Sequence, residues 1–114
     1  MRMLAHEKLD VHQCAAQFLA VAARIIERVP SGNAFITDQL KRAALSIPLN
    51  VAEGVGKTTE AEKRRYFSIA RGSAMECGAL LDATRILGLA TDEQVDPGKA
   101  LIERIVSMLS KMCR

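Results

Sequence analysis

Apolar residues in this chain recur at three- and four-residue steps in four separate runs, and no two-residue strand alternation competes with them. That period places the apolar side chains of each run on one face of an α-helix, so four such faces must be buried against one another. In the first run, residues 10–29, Val11, Cys14, Phe18, Val21 and Ile25 recur, flanked by Ala15, Ala22 and Ile26, before Pro30-Ser31-Gly32-Asn33 breaks it. The second run, residues 34–54, uses Ile36, Leu40, Ala43, Ala44, Ile47 and Val51, with Gly54 and Gly56 as its stop. The third, residues 59–87, opens on the capping-box spacing Thr59/Glu62 and ends at Gly88. Its main stripe reads Tyr66, Ile69, Ala70, Ser73, Cys77, Leu80, Thr84 and Leu87. The fourth carries Leu101, Ile105, Met108 and Met112, with Ile102 and Leu109 alongside. Thr91 with Gln94 suits a short early turn, whereas Asp96-Pro97 reads as an N-cap followed by a first-turn proline, so the main helix is expected over residues 97–113. Four amphipathic helices joined by short loops predict an all-α fold: one domain over residues 1–114, an up-down-up-down antiparallel four-helix bundle.

The composition agrees with a folded domain. Apolar residues make up 49% of the chain and charged ones 25%, which is the balance of a globular protein and not of a disordered one. The net charge of +3 is mild, and Lys and Arg are interleaved with Asp and Glu, so nucleic-acid contact is permitted without being demanded. Cys14, Cys77 and Cys113 are widely spaced and lack CxxC or zinc-finger spacing, which points to free thiols. The N-terminal stretch lacks the apolar core of a signal peptide, and no apolar run approaches the ~20 residues needed to span a bilayer. The expectation is a cytoplasmic protein with no cofactor and no membrane partner.

The second run departs from a plain bundle helix. Pro48 lies inside it, where a missing amide costs about 3 kcal/mol unless the helix kinks or breaks. A kink at Pro48 is therefore expected. Arg42, Ser46, Asn50, Glu53 and Lys57 share a sector about 80° wide beside the apolar face. Two readings follow: Asn50 or Ser46 repairs the backbone near the Ala44 carbonyl, or Arg42 and Glu53 bond across to another helix or another subunit. The plainer alternative is an ordinary solvated face. Against it, Leu45, Leu49 and Ala52 make the helix apolar on a second flank, and a helix apolar on two sides usually packs on two sides. Leu45 and Leu49 are thus candidate intersubunit residues. On the third run Gly72, Ala79 and Ala83 would allow close backbone approach, and Glu76 lies beside them.

These residues resemble the small four-helix-bundle proteins encoded in intervening sequences of bacterial 23S rRNA genes. That family includes relatives of the accessory variability protein of diversity-generating retroelements. The shared pattern is Gln39-Leu40, Arg42-Ala43-Ala44, Ser46-Ile47-Pro48, Asn50 and Ala52-Glu53-Gly54, followed by Tyr66-Phe67, Ile69-Ala70-Arg71-Gly72-Ser73 and Glu76. The chain departs from the pattern at Gly54-Val55-Gly56-Lys57, where GFGR is common, and at Ala74 and Cys77, where leucine is common. The resemblance implies an antiparallel four-helix bundle assembling as a ring of five subunits, with no known catalysis. For the retroelement relatives it implies binding to a reverse transcriptase and to nucleic acid through a basic surface.

Site chemistry beyond this is sparse. Gly56-Lys57-Thr58 invites a phosphate-loop reading, but Val51 stands where that loop needs glycine and a helix precedes it. A single anion on the N-terminus of the third helix remains an option. His6 and His12, near Glu7 and Asp10, do not share a helical face and read as surface residues, not metal ligands. Met108 and Met112 read as core filler. The densest basic site is Lys63-Arg64-Arg65, extended by Lys57 and Arg71 and diluted by Glu60 and Glu62. The expected function is a non-enzymatic homo-oligomeric scaffold that contacts RNA, DNA or a nucleic-acid enzyme; the alternative is a purely protein-binding assembly.

Overall fold

The computed structural model describes residues 2–114, with side chains described from Asp10 onward. Among these residues four helices and no strands are present: α1 (Arg2–Arg28), α2 (Ala34–Gly56), α3 (Glu60–Ile86) and α4 (Asp92–Met112). They form a body of 44 × 22 × 18 Å, its length set by helices of 21 to 27 residues rising about 1.5 Å per residue. Packing joins α1 to α2, α2 to α3, α3 to α4 and α4 back to α1, while the diagonal pairs make no backbone approach. Pairings that rise along one helix fall along the next. Gly54 meets Phe67 and Ser46 meets Ser73 between α2 and α3, and Arg71 meets Ser110 and Asp82 meets Lys99 between α3 and α4. Those two helix pairs therefore run antiparallel. Phe18, Leu40, Ile47, Leu81, Ile105 and Leu109 fill the centre and are fully buried.

Two helix starts differ from expectation. α1 begins at Arg2, not near Asp10, because residues 2–9 are rich in Met, Leu, Ala, Glu and Lys and contain no Gly or Pro to stop a helix. α4 begins at Asp92, not at Pro97. Thr91 Oγ1 accepts from the Gln94 amide at 3.2 Å, and Gln94 Oε1 accepts from the Thr91 amide at 2.8 Å. This reciprocal cap satisfies two backbone donors and fixes the start. Pro97 then removes only the amide that would have met the carbonyl of Glu93, an exposed residue. The α3 cap is less complete than its spacing suggested. Thr59 Oγ1 accepts from the Glu62 amide at 3.2 Å, but the Glu62 carboxylate accepts from the Thr59 hydroxyl, at 3.1 Å, and not from its amide. Gly88, at φ 73°, takes the left-handed turn that ends α3.

The rotation of α3 also differs from its predicted stripe. Phe67, Ala70, Ala74, Cys77, Gly78, Leu81 and Thr84 are buried, whereas Ile69 is 42% and Leu87 54% exposed. Apolar side chains cover so wide an arc of this helix that periodicity alone does not pick its centre. The deciding contact is Phe67. A Cβ added to Gly54 would lie 2.5 Å from Phe67 Cε1, so the ring rests on the bare backbone of α2. Thr84, the buried polar residue here, donates from Oγ1 to the Leu80 carbonyl at 2.7 Å. Replacing Gly54 by alanine should force α2 and α3 apart and destabilise the fold by about 1–3 kcal/mol, read as a lower urea midpoint. An unchanged midpoint would mean that the ring yields without cost.

Candidate functional site

α2 runs unbroken through Pro48. The amide missing at Pro48 would have met the Ala44 carbonyl, yet neither expected side chain repairs that group. Asn50 Nδ2 donates instead to the Ser46 carbonyl and to Ser46 Oγ, both at 2.9 Å. Ser46 Oγ in turn lies 2.8 Å from Ser73 Oγ on α3. The repair reading is thus replaced by a half-buried polar tie between helices, and every one of its side chains has a partner.

Arg42 and Glu53 do not bond across to another helix of this chain. Arg42 is exposed with no ion pair among the described residues, and Glu53 meets Lys57 at 3.7 Å, one turn along. Glu76 is likewise exposed; the burial of the adjacent Cys77, and secondarily the Glu76 charge, push that thiol up to about 12. Cys14, Cys77 and Cys113 are all free thiols. Gly72 has nothing within 4 Å of its Cβ position, so nothing in this chain packs closely on it as anticipated.

Leu45 is 45% and Leu49 55% exposed, as their second-flank placement predicts. Ile69, at 42%, and Met75, at 52%, extend exposed apolar surface onto α3. Helical period places Ile69 in the buried stripe of α3, and the Phe67–Gly54 contact turns it outward. Met75 also walls a groove of about 510 Å³ between α3 and α4, lined further by Gly78, Ala79, Ile102, Glu103 and Val106. That groove was not anticipated. Its sequence signal is the small pair Gly78-Ala79, which lowers the α3 wall.

The basic residues gather at one end, around the α2–α3 loop. Lys57 Nζ stands 5.0 Å and Arg65 Cζ 5.7 Å from the centroid of the Tyr66 ring, within cation–π range. Lys63 Nζ donates to the Val55 carbonyl at 3.2 Å. Arg64 is exposed. Arg71 does not join this group: it is half-buried, and its Nε donates to Ser110 Oγ on α4 at 2.7 Å. Gly56-Lys57-Thr58 closes a helix and does not follow a strand, so it lacks the setting of a phosphate loop. At the start of α3 the Glu62 amide is already taken by Thr59. His12 is exposed on α1, and the side chains of His6 and Glu7 lie outside the described residues. Among the described residues no group of His, Cys, Asp and Glu could hold a metal ion, and no helix is long and apolar enough to cross a membrane.

Residues 7–111 match the family described as 23S rRNA-intervening sequence protein. A solved structure of a protein with unknown function from the S23 ribosomal protein family of Bacteroides thetaiotaomicron VPI-5482 shares the fold, with a TM-score of 0.86. The likeness covers 94% of this chain and 97% of that one at 17% identity. No curated protein matches the chain significantly.

A double-mutant cycle on Ser46→Ala and Ser73→Ala should give a coupling of about 0.5–1.5 kcal/mol in chemical denaturation. Additive effects would show that the hydroxyl pair does not tie the helices.

Proposed function

The chain belongs to the 23S rRNA-intervening sequence protein family, and on that premise we propose that it is a non-enzymatic, homo-oligomeric scaffold or accessory factor of the cytoplasm. The observation that carries the reading is the apolar surface of Leu45, Leu49, Ile69 and Met75, each more than 40% exposed. Large apolar side chains left in water cost free energy, and burying these against further copies removes that cost. Five is the copy number that the family resemblance implies. Changing Leu45 and Leu49 together to glutamate should reduce the mass measured by light scattering to that of a monomer while helical circular dichroism persists. An unchanged mass would sink the assembly reading.

Nucleic acid is the proposed partner of the basic end. Arg64 and Arg65 beside Tyr66 offer guanidinium groups and one aromatic face, the combination that holds a phosphate backbone with a stacked base. Repetition of this modest patch around an oligomer multiplies its field. Binding should be largely indifferent to sequence and should weaken steeply with salt. Arg64→Ala with Arg65→Ala should weaken oligonucleotide retention several-fold at low salt; equal retention by wild type and variant would refute this contact. A second reading, a purely protein-binding assembly, is favoured by the engagement of Lys57 with Glu53 and of Lys63 with the Val55 carbonyl, which leaves fewer cations for phosphate.

A further inference from the structure

Arg71 belongs to neither the apolar surface nor the cations around Tyr66. It is half-buried, its Nε donates to Ser110 Oγ, and no carboxylate pairs with it among the described residues. Its two Nη groups donate to nothing in the chain. Every unpartnered side-chain nitrogen or oxygen of the described buried and half-buried residues keeps contact with solvent, so both Nη groups are reachable. With Ser68, Ser110, Cys113 and Arg114, Arg71 lines a cavity of about 290 Å³ between α3 and α4.

The walls of this cavity offer protons and carry no acidic side chain. Ser110 Oγ accepts from Arg71 and gives its own proton to no group in the chain, and Ser68 makes no side-chain hydrogen bond. The Cys113 thiol titrates higher than usual, because its burial outweighs the Arg71 charge, and so adds no negative charge. Arg114 stands beside the terminal carboxylate, which leaves Arg71 as the cation that counts. On the same face of α3, Glu60 and Asp82 stand eleven positions to either side of Arg71, about 16 Å along the axis. Glu103 precedes Ser110 by seven positions on α4, about 10 Å. A guanidinium without a counterion, flanked by two free hydroxyl protons, favours an anion. Its planar fork meets two oxygens at once, and the hydroxyls can meet a third. A terminal phosphate has three such oxygens, whereas a phosphodiester or a carboxylate has two.

We propose that this cavity binds a terminal phosphate group, inorganic phosphate or a phosphomonoester, with Arg71 gripping two oxygens and the Ser68 and Ser110 hydroxyls reaching the third. The site is separate from the basic end and does not depend on assembly.

Equilibrium dialysis of the full chain against radiolabelled inorganic phosphate, at ionic strength held constant with chloride, tests it. The expected result is saturable binding of one phosphate per chain, displaced by phenyl phosphate but not by dimethyl phosphate or by an oligonucleotide lacking terminal phosphates. Displacement by phenyl phosphate identifies a monoester as an acceptable source; its failure to compete beside saturable phosphate would restrict the site to the free ion and overturn the monoester half. Arg71→Gln should weaken binding about tenfold or more, and Ser68→Ala, at an exposed position that bonds to nothing, should weaken it several-fold with helical circular dichroism unchanged. Arg65→Ala should leave it intact. Binding that never saturates, or wild-type affinity in Ser68→Ala, would overturn the site even where Arg71→Gln fails to fold. Loss of binding in Arg65→Ala would move the anion to the basic end, and equal displacement by dimethyl phosphate would refute the terminal-phosphate class.

Discussion

The Phe67 ring lying on the bare backbone of Gly54 sets the spacing of α2 and α3, and much of the remaining geometry follows from that spacing. A side chain at position 54 would hold the helices apart. Without one, Ser46 and Ser73 come within 2.8 Å of each other, and the polar tie can form in a half-buried seam. The same contact fixes the rotation of α3 about its axis. With Phe67 inward, Leu81 and Ala74 enter the core, Arg71 turns toward Ser110 on α4, and Ile69 and Met75 are left outside. The exposed apolar surface is thus a consequence of how the core is packed.

Charge in this molecule divides into groups that are engaged and groups that are not. Asp82 gathers Lys99 and Arg85, and its carboxyl titrates lower than usual, chiefly through the Lys99 hydrogen bond. Lys57 lies between Glu53 and the Tyr66 ring. These exposed pairs are worth little individually to stability. Their effect is to remove charges from the list of those available to a partner. Lys41, Arg42, Arg64, Glu76 and Glu103 are among the exposed charges that enter no ion pair among the described residues.

Much of the fold was legible in the residues themselves. Four runs with a helical period, separated by Pro-Gly turns or glycine stops, gave the four helices and most of their ends. The errors have local physical causes. Asp96-Pro97 is a good helix start in isolation, yet the Thr91–Gln94 cap satisfies two backbone groups at once and outcompetes it. On α3, Ile69 and Leu81 are equally apolar, and only a tertiary contact decides which one faces water. The second apolar flank of α2 could be read from Leu45 and Leu49 because α2 has a narrower buried stripe. The Ser46–Ser73 pair could not be read as a pair, since each hydroxyl equally suits a local bond to its own helix. The groove between α3 and α4 needs two helices in register, and no single helix discloses it.

The cyclic order of helix packing carries a consequence for how the chain reaches its native state. Three of the four packed seams join helices that follow one another along the chain, connected through residues 29–33, 57–59 and 87–91. Their loop-closure entropy is small, and each can form as a local hairpin. The seam between α1 and α4 differs, because it joins the two ends of the sequence. Its closure is paid for only after the intervening hairpins have shortened the effective loop. Folding is then governed by short-range encounters, with the α1–α4 seam closing last and, by the same argument, opening first.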